Sequence, residues 1–225
     1  MHIRMRDTVL AAALAFAACA AHAQMHMCKD AQGRKVFSDQ PCGADDTIVT
    51  VNPAAGGPSI NPSHSLRVEH YEIRGTTWPQ LQREIDSKGP EGWWGTANTQ
   101  IRYELEWKPS AGGCKVTSVR TTADARIRLP QWANRFDGPA KLQAYWDNVY
   151  RSLDLHERGH VQISLDGAKE LERALHAIPE QPTCDAVAAE AKRTYQRIGA
   201  ALRDRQVTYD AETDHGRNQW TPYRD

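Results

Sequence analysis

The strongest constraint on the fold is one apolar stripe in the second half of the chain. Leu142, Trp146, Val149 and Leu153 recur at helical spacing, and the same face continues to His156 and His160. The pattern predicts a single long helix from about Pro139 to about His176. Gly159 and Gly167 fall inside it, each costing about 1 kcal/mol relative to Ala, so a bend is allowed at either. Pro179 and Pro182 separate it from a second helix, where Val187, Ala191, Tyr195, Ile198 and Leu202 repeat at the same period.

The first half alternates instead. Leu66 to Ile73 reads as a strand, and Trp78, Leu81 and Ile85 as one face of a short helix stopped by Gly89. Ile101, Tyr103, Leu105 and Trp107 alternate with Arg102, Glu104 and Glu106, the signature of a half-buried strand over 99–107. More strand material runs from Cys114 to Leu129, where Pro130 is expected to end it. Strands first and helices after give an α+β class, with a small antiparallel sheet packed on two long helices.

The N-terminus reads separately. Arg4 and Arg6 precede a short apolar run, and Ala21-His22-Ala23 has the form of a cleavage site, so residues 1–23 read as a secretory signal peptide. Cys19 offers lipid anchoring as a weaker alternative, because Phe16-Ala17-Ala18 fits a lipidation signal poorly. Residues 24–51 form a small β segment with a turn at Gln32-Gly33 and a strand at Lys35–Ser38. Residues 52–65 are rich in Pro, Gly and Ser and read as a linker; 66–225 is the main domain. Nothing after the signal is long and apolar enough to span a membrane, so the expected location is periplasmic or secreted. Lys+Arg and Asp+Glu both number 28, which argues against a nucleic-acid partner.

Cys28, Cys42, Cys114 and Cys184 remain after the signal, an even set suited to disulfides in an exported chain. Of three pairings, Cys28–Cys42 is local and precedes the linker, which leaves Cys114 with Cys184. The local pair would staple a segment too small for a core of its own.

His156-Glu157-Arg158-Gly159-His160 is HExxH on the predicted helix. Residues i and i+4 lie one turn apart, so both imidazoles can reach one ion, with Zn2+ expected. Glu157, one step round, can reach a water on that ion as general base. Composition alone yields roughly 0.02 such motifs in this chain, so coincidence explains it badly. A third protein ligand is needed. His176 lies about 24 Å along the helix from His160, too far to serve. The stretch Tyr209-Asp210-Ala211-Glu212-Thr213-Asp214-His215-Gly216 concentrates donors after the second helix. His215 is the expected ligand. Asp210 is the alternative, or else orients a ligand histidine. Tyr209 is a candidate to hydrogen-bond an oxyanion.

On the strand TQIRYELEW, Cys114, Ile127–Pro130 with Trp132, HERGH, Cys184 and the YDxxTxHG form of residues 209–216, residues 66–225 resemble a bacterial family of predicted secreted zinc-dependent proteases, itself long labelled a domain of unknown function. The resemblance implies a zincin-like metallopeptidase and a Cys114–Cys184 bond. Residues 28–42, with Cys28, Asp30, Gly33, Ser38, Asp39, Pro41 and Cys42, resemble a second small bacterial domain of unknown function, which implies no activity.

A peptidase must hold an extended peptide or protein substrate. The edge of strand 99–107 is the expected platform, with Trp93 and Trp94 as side-chain contacts. Two rival classes share these features: a cell-envelope binding or assembly module with structural or vestigial metal, and a zinc amidase acting on cell-wall peptides. A serine triad has little support, since serines are scattered and none sits in a GxSxG turn.

Overall fold

The chain divides into compact units at 1–51 and 52–225. The computed structural model describes residues 26–29, 35–38 and 60–219. In the first unit, β1 (His26–Lys29) and β2 (Lys35–Ser38) pair antiparallel, Met27 opposite Phe37. The segment 1–23 and the Cys28–Cys42 pairing lie outside the described residues.

In the second unit β3 (Ser63–Ile73) begins within the stretch read as linker. It is followed by α1 (Trp78–Lys88), β4 (Thr96–Ser110), β5 (Gly113–Trp132), α2 (Ala140–His176) and α3 (Cys184–Thr213). The class is α+β, but the sheet is mixed rather than antiparallel. Its order is β3-β5-β4, with β4 and β5 an antiparallel hairpin and β3 parallel to β5. Alternation reveals which face of a strand is buried; it carries no information on the direction of a partner. After β3 the chain passes through α1 to the far edge, and β5 returns between the two earlier strands. β5 also runs through Pro130. Pairing with β4 reaches only Arg128, so Pro130 has β3 as its sole neighbouring strand and a residue without an N–H is tolerated there.

One face of the sheet is apolar. Ala125, Ile127 and Leu129 of β5 pack on Val149, Leu153 and Val161 of α2. A second cluster joins Ile73 and Trp132 to Leu81 and Ile85 of α1 and to Leu142 and Trp146 of α2. A third joins Leu171 and Leu175 of α2 to Ala191 and Ile198 of α3. Each fully buried aliphatic side chain contributes about 1.5–3 kcal/mol. The opposite face carries paired charges, such as Arg126 with Glu69 and Arg102 with Asp124.

The return from α2 to α3 is fixed to the tip of the β4–β5 hairpin. Cys114 and Gln181 exchange backbone hydrogen bonds of 2.8 and 2.9 Å, and Cys114 is disulfide-bonded to Cys184 with Cα atoms 5.0 Å apart. Gly113, at φ +141, sits where a Cβ would lie 2.0 Å from the Gln181 carbonyl oxygen, so only glycine fits. Thr183 caps α3, its hydroxyl accepting from the Ala186 amide at 3.1 Å. Among the described residues, no helix is long and apolar enough to cross a membrane.

Candidate metal centre

α2 runs unbroken through Gly159 and Gly167, presenting His156 and His160 one turn apart on the face that meets α3. α3 is longer than its apolar spacing suggested. Tyr209, Asp210 and Thr213 belong to its last turns, because no breaker appears before Asp214 and Gly216 take left-handed backbone at φ 49 and φ 80. The carboxylate of Asp210 thereby reaches the two imidazoles. His156 Nε2 and His160 Nε2 are 3.2 Å apart, and Asp210 Oδ1 lies 3.2 and 3.0 Å from them. Among the described residues, these are the three side chains brought close enough together to hold one metal ion. His215, the first choice of third ligand, lies outside that trio. Its Nδ1 is 3.7 Å from Asp210 Oδ1 and its ring stacks on Trp93 instead.

The remaining hydrogen bonds fix both imidazole tautomers. Gln206 donates from Nε2 to the His160 carbonyl and to Ser164 Oγ, each at 3.0 Å, which turns its Oε1 to His160 Nδ1 at 2.6 Å. His160 therefore carries its proton on Nδ1. Thr213 spends its hydroxyl proton on the Tyr209 carbonyl at 2.7 Å, so its oxygen accepts from His156 Nδ1 at 3.3 Å. Both Nε2 atoms are left as lone pairs facing one another and a carboxylate. Burial, then the adjacent His160, holds the His156 pKa well below the usual imidazole range, so that ring is neutral at pH 7. Two imidazoles and a carboxylate are a donor set that could hold a divalent cation.

Glu157 is 4 % exposed and borders the same cleft. A Cβ at Gly95 would lie 2.7 Å from its Oε1, so glycine immediately before β4 makes room for the carboxylate. Burial pushes this carboxyl up to about 8, and the charges of Asp210 and Asp154 add to the effect. The cleft, about 930 Å³, runs between Gly95–Thr99 at the head of β4 and the facing surfaces of α2 and α3.

Tyr209 lies behind the imidazoles and does not line this cleft. Its ring stacks on His156 at 5.1 Å between centroids and meets His160 edge-on at 5.0 Å. Its hydroxyl reaches Gly159, where a Cβ would stand 2.2 Å away. That placement packs the ring against both imidazoles, away from the cleft. Gly216 packs similarly, its missing Cβ 3.0 Å from His156 Cγ. Both tryptophans border the cleft, in different settings. Trp93 is 49 % exposed, lines the cleft and stacks on His215. Trp94 is anchored, its Nε1 donating to Asp86 at 2.8 Å and its carbonyl accepting from Tyr71 at 2.7 Å, with its ring edge-on to Trp78.

Gln206 and Gly95 are site residues that the sequence did not single out, and Thr213, the Thr of the YDxxTxHG element, had no role assigned to it. Gln206 lies one turn before Asp210 and Thr213 one turn after it, so the helical period was the available signal once α3 is extended.

A family model described as a bacterial protein of unknown function (DUF922) matches residues 68–216, about two thirds of the chain. A second, a domain of unknown function (DUF4124), matches residues 12–64. Neither description carries an activity. Searches of curated proteins and of solved structures found no match. The span of the first match, which takes in both histidines, Glu157, Asp210 and Gly216, means that this chain belongs to the DUF922 family.

Proposed function

We propose that this protein is a zinc-dependent peptidase of zincin type that works outside the cytoplasm. One observation carries the reading: two Nε2 lone pairs and a carboxylate oxygen converge, with both imidazole protons held on the far side by Thr213 and Gln206. Separations of 3.0–3.2 Å are close to the edge of about 3.3 Å expected in a tetrahedron with bonds of about 2.0–2.1 Å. Bound there, zinc would polarise a substrate carbonyl and acidify water.

The chain's own residues divide the remaining work. The ionised form of Glu157, which the positive charge of a bound cation would favour against the effect of burial, takes a proton from water on its carboxylate and passes it to the departing amine. The dry setting of that carboxylate, walled by Gly95, favours proton transfer over hydration. β4 is an edge strand, and its start at Thr96–Thr99 borders the cleft, so an extended peptide can add there by main-chain hydrogen bonds. The Cys114–Cys184 bond suits an oxidising compartment.

The test is zinc analysis of the purified chain together with casein and cell-wall peptide hydrolysis, with and without a chelator. The expected result is one zinc per chain and hydrolysis that stops on chelation. Glu157→Gln should keep the metal and lose turnover at least about 100-fold. Chelator-resistant hydrolysis, or a chain that takes up no zinc, refutes the reading.

A further inference from the structure

His215 stands at the mouth of the candidate metal centre without belonging to its donor trio. Its side chain is 44 % exposed, and its Nδ1 is 3.7 Å from the Asp210 carboxylate. The backbone holds it there by unusual means. Asp214, His215 and Gly216 are consecutive left-handed residues at φ 49, 51 and 80, a conformation that side-chain-bearing residues seldom adopt. The His215 amide closes the turn on the Asp210 carbonyl at 2.9 Å. The chain thus folds back from the end of α3 and brings the imidazole over the donors.

A second loop meets it. Glu91 and Gly92 are also left-handed, at φ 55 and 83, and they present Trp93 so that its indole stacks on the His215 ring, centroids 4.9 Å apart and planes 29° from parallel. Two loops from opposite walls of one cleft, each in an uncommon backbone conformation, meet in a single ring–ring contact beside the Asp210 carboxylate.

We infer that His215 is a catalytic residue and not a metal ligand: it donates a hydrogen bond from its ring N–H to the substrate carbonyl oxygen, and Trp93 is the positioning residue that holds the ring. This rests on the peptidase reading above. In the step concerned, a water oxygen bonds to the carbonyl carbon and the C=O π pair moves onto the carbonyl oxygen. The water proton goes to Glu157. The His215 proton stays on the ring and is shared with the new oxyanion, where one preorganised donor typically accounts for about 100- to 1,000-fold in rate. Asp210 remains the third ligand.

The experiment uses the full chain, loaded with zinc for kinetics and with cobalt(II) for spectroscopy. His215→Ala and His215→Gln should bind one metal with the visible cobalt spectrum of the unsubstituted chain, whereas Asp210→Ala should lose or alter that spectrum. On labelled casein, His215→Ala should lower kcat about 100-fold and change KM less than about threefold. Trp93→Ala should lower kcat by about tenfold with KM nearly constant, and Trp93→Phe, which restores a ring to stack on, should recover most of that loss. Loss of the cobalt spectrum in both His215 variants would make His215 a ligand and overturn the inference. Full kcat in His215→Ala overturns it as well, while leaving the peptidase reading in place. An unsubstituted chain that turns over no casein overturns both.

Discussion

Two glycines in one helix give the sharpest check on how α2 and α3 meet. At Gly159 a Cβ would lie 2.2 Å from the Tyr209 hydroxyl and 2.5 Å from its Cζ; at Gly167 the nearest atom is Leu202 Cδ1 at 3.1 Å. Alanine at either position gains about 1 kcal/mol of helix propensity. At Gly167 the neighbour is the end of a flexible side chain, so Gly167→Ala should be neutral or slightly stabilising. At Gly159 the neighbour is a rigid, buried ring that must retreat by more than an ångström. Overpacking costs about 1–3 kcal/mol, and the disturbed stack on His156 a further 0.5–1.5 or so. Net of propensity, Gly159→Ala should destabilise by about 1–3 kcal/mol, a fall in Tm of about 3–10 °C for a domain of this size. Urea denaturation of the metal-free variants measures the stability difference, and zinc titration follows the displaced imidazole. If Gly159→Ala matches Gly167→Ala in both, Tyr209 does not hold His156 against α2 and the packing argument is wrong.

Gln206→Ala should weaken zinc binding about 10- to 100-fold, because the His160 Nδ1 proton loses its acceptor; competition against a chromophoric chelator measures it, and unchanged affinity would remove Gln206 from the site. Replacing Cys114 and Cys184 by serine should cost about 4 kcal/mol, given their sequence separation of 70, and the intact chain under reductant should show the same denaturation midpoint as the variant. A loss below about 1 kcal/mol would mean that hairpin docking alone holds the helix return.

What the sequence disclosed follows what a periodic pattern can carry. The stripe from Leu142 to Leu153 marked α2 within a residue of its true start at Ala140, because a 3.6-residue period has few competing explanations. The alternation from Ile101 to Trp107 marked β4, though that strand runs on to Thr96 and Ser110 where its residues are polar. The parallel pairing of β3 with β5 left no trace, since strand direction depends on the path of the chain between strands. At the site, HExxH named His156 and His160 by spacing alone. That Asp210 rather than His215 meets the two imidazoles depends on where α3 ends: had the helix stopped before Tyr209, the histidine would be as well placed as the aspartate. Extended to Thr213, the helix puts Tyr209, Asp210 and Thr213 on the side facing α2 and hands His215 to the turn beyond.

The donors sit at one end of the α2–α3 pair, and the covalent fastening sits at the other. From Cys184 to Asp210 is 26 residues of helix, an arm of about 39 Å. On an arm that long, a tilt of one degree at the fastened end sweeps Asp210 through roughly 0.7 Å, which exceeds the tolerance of about 0.2 Å on a metal–ligand bond. Reducing a sulfur–sulfur bond far from the imidazoles would therefore be felt at the Asp210 carboxylate, whose distance from the two rings sets how well the three side chains could hold an ion.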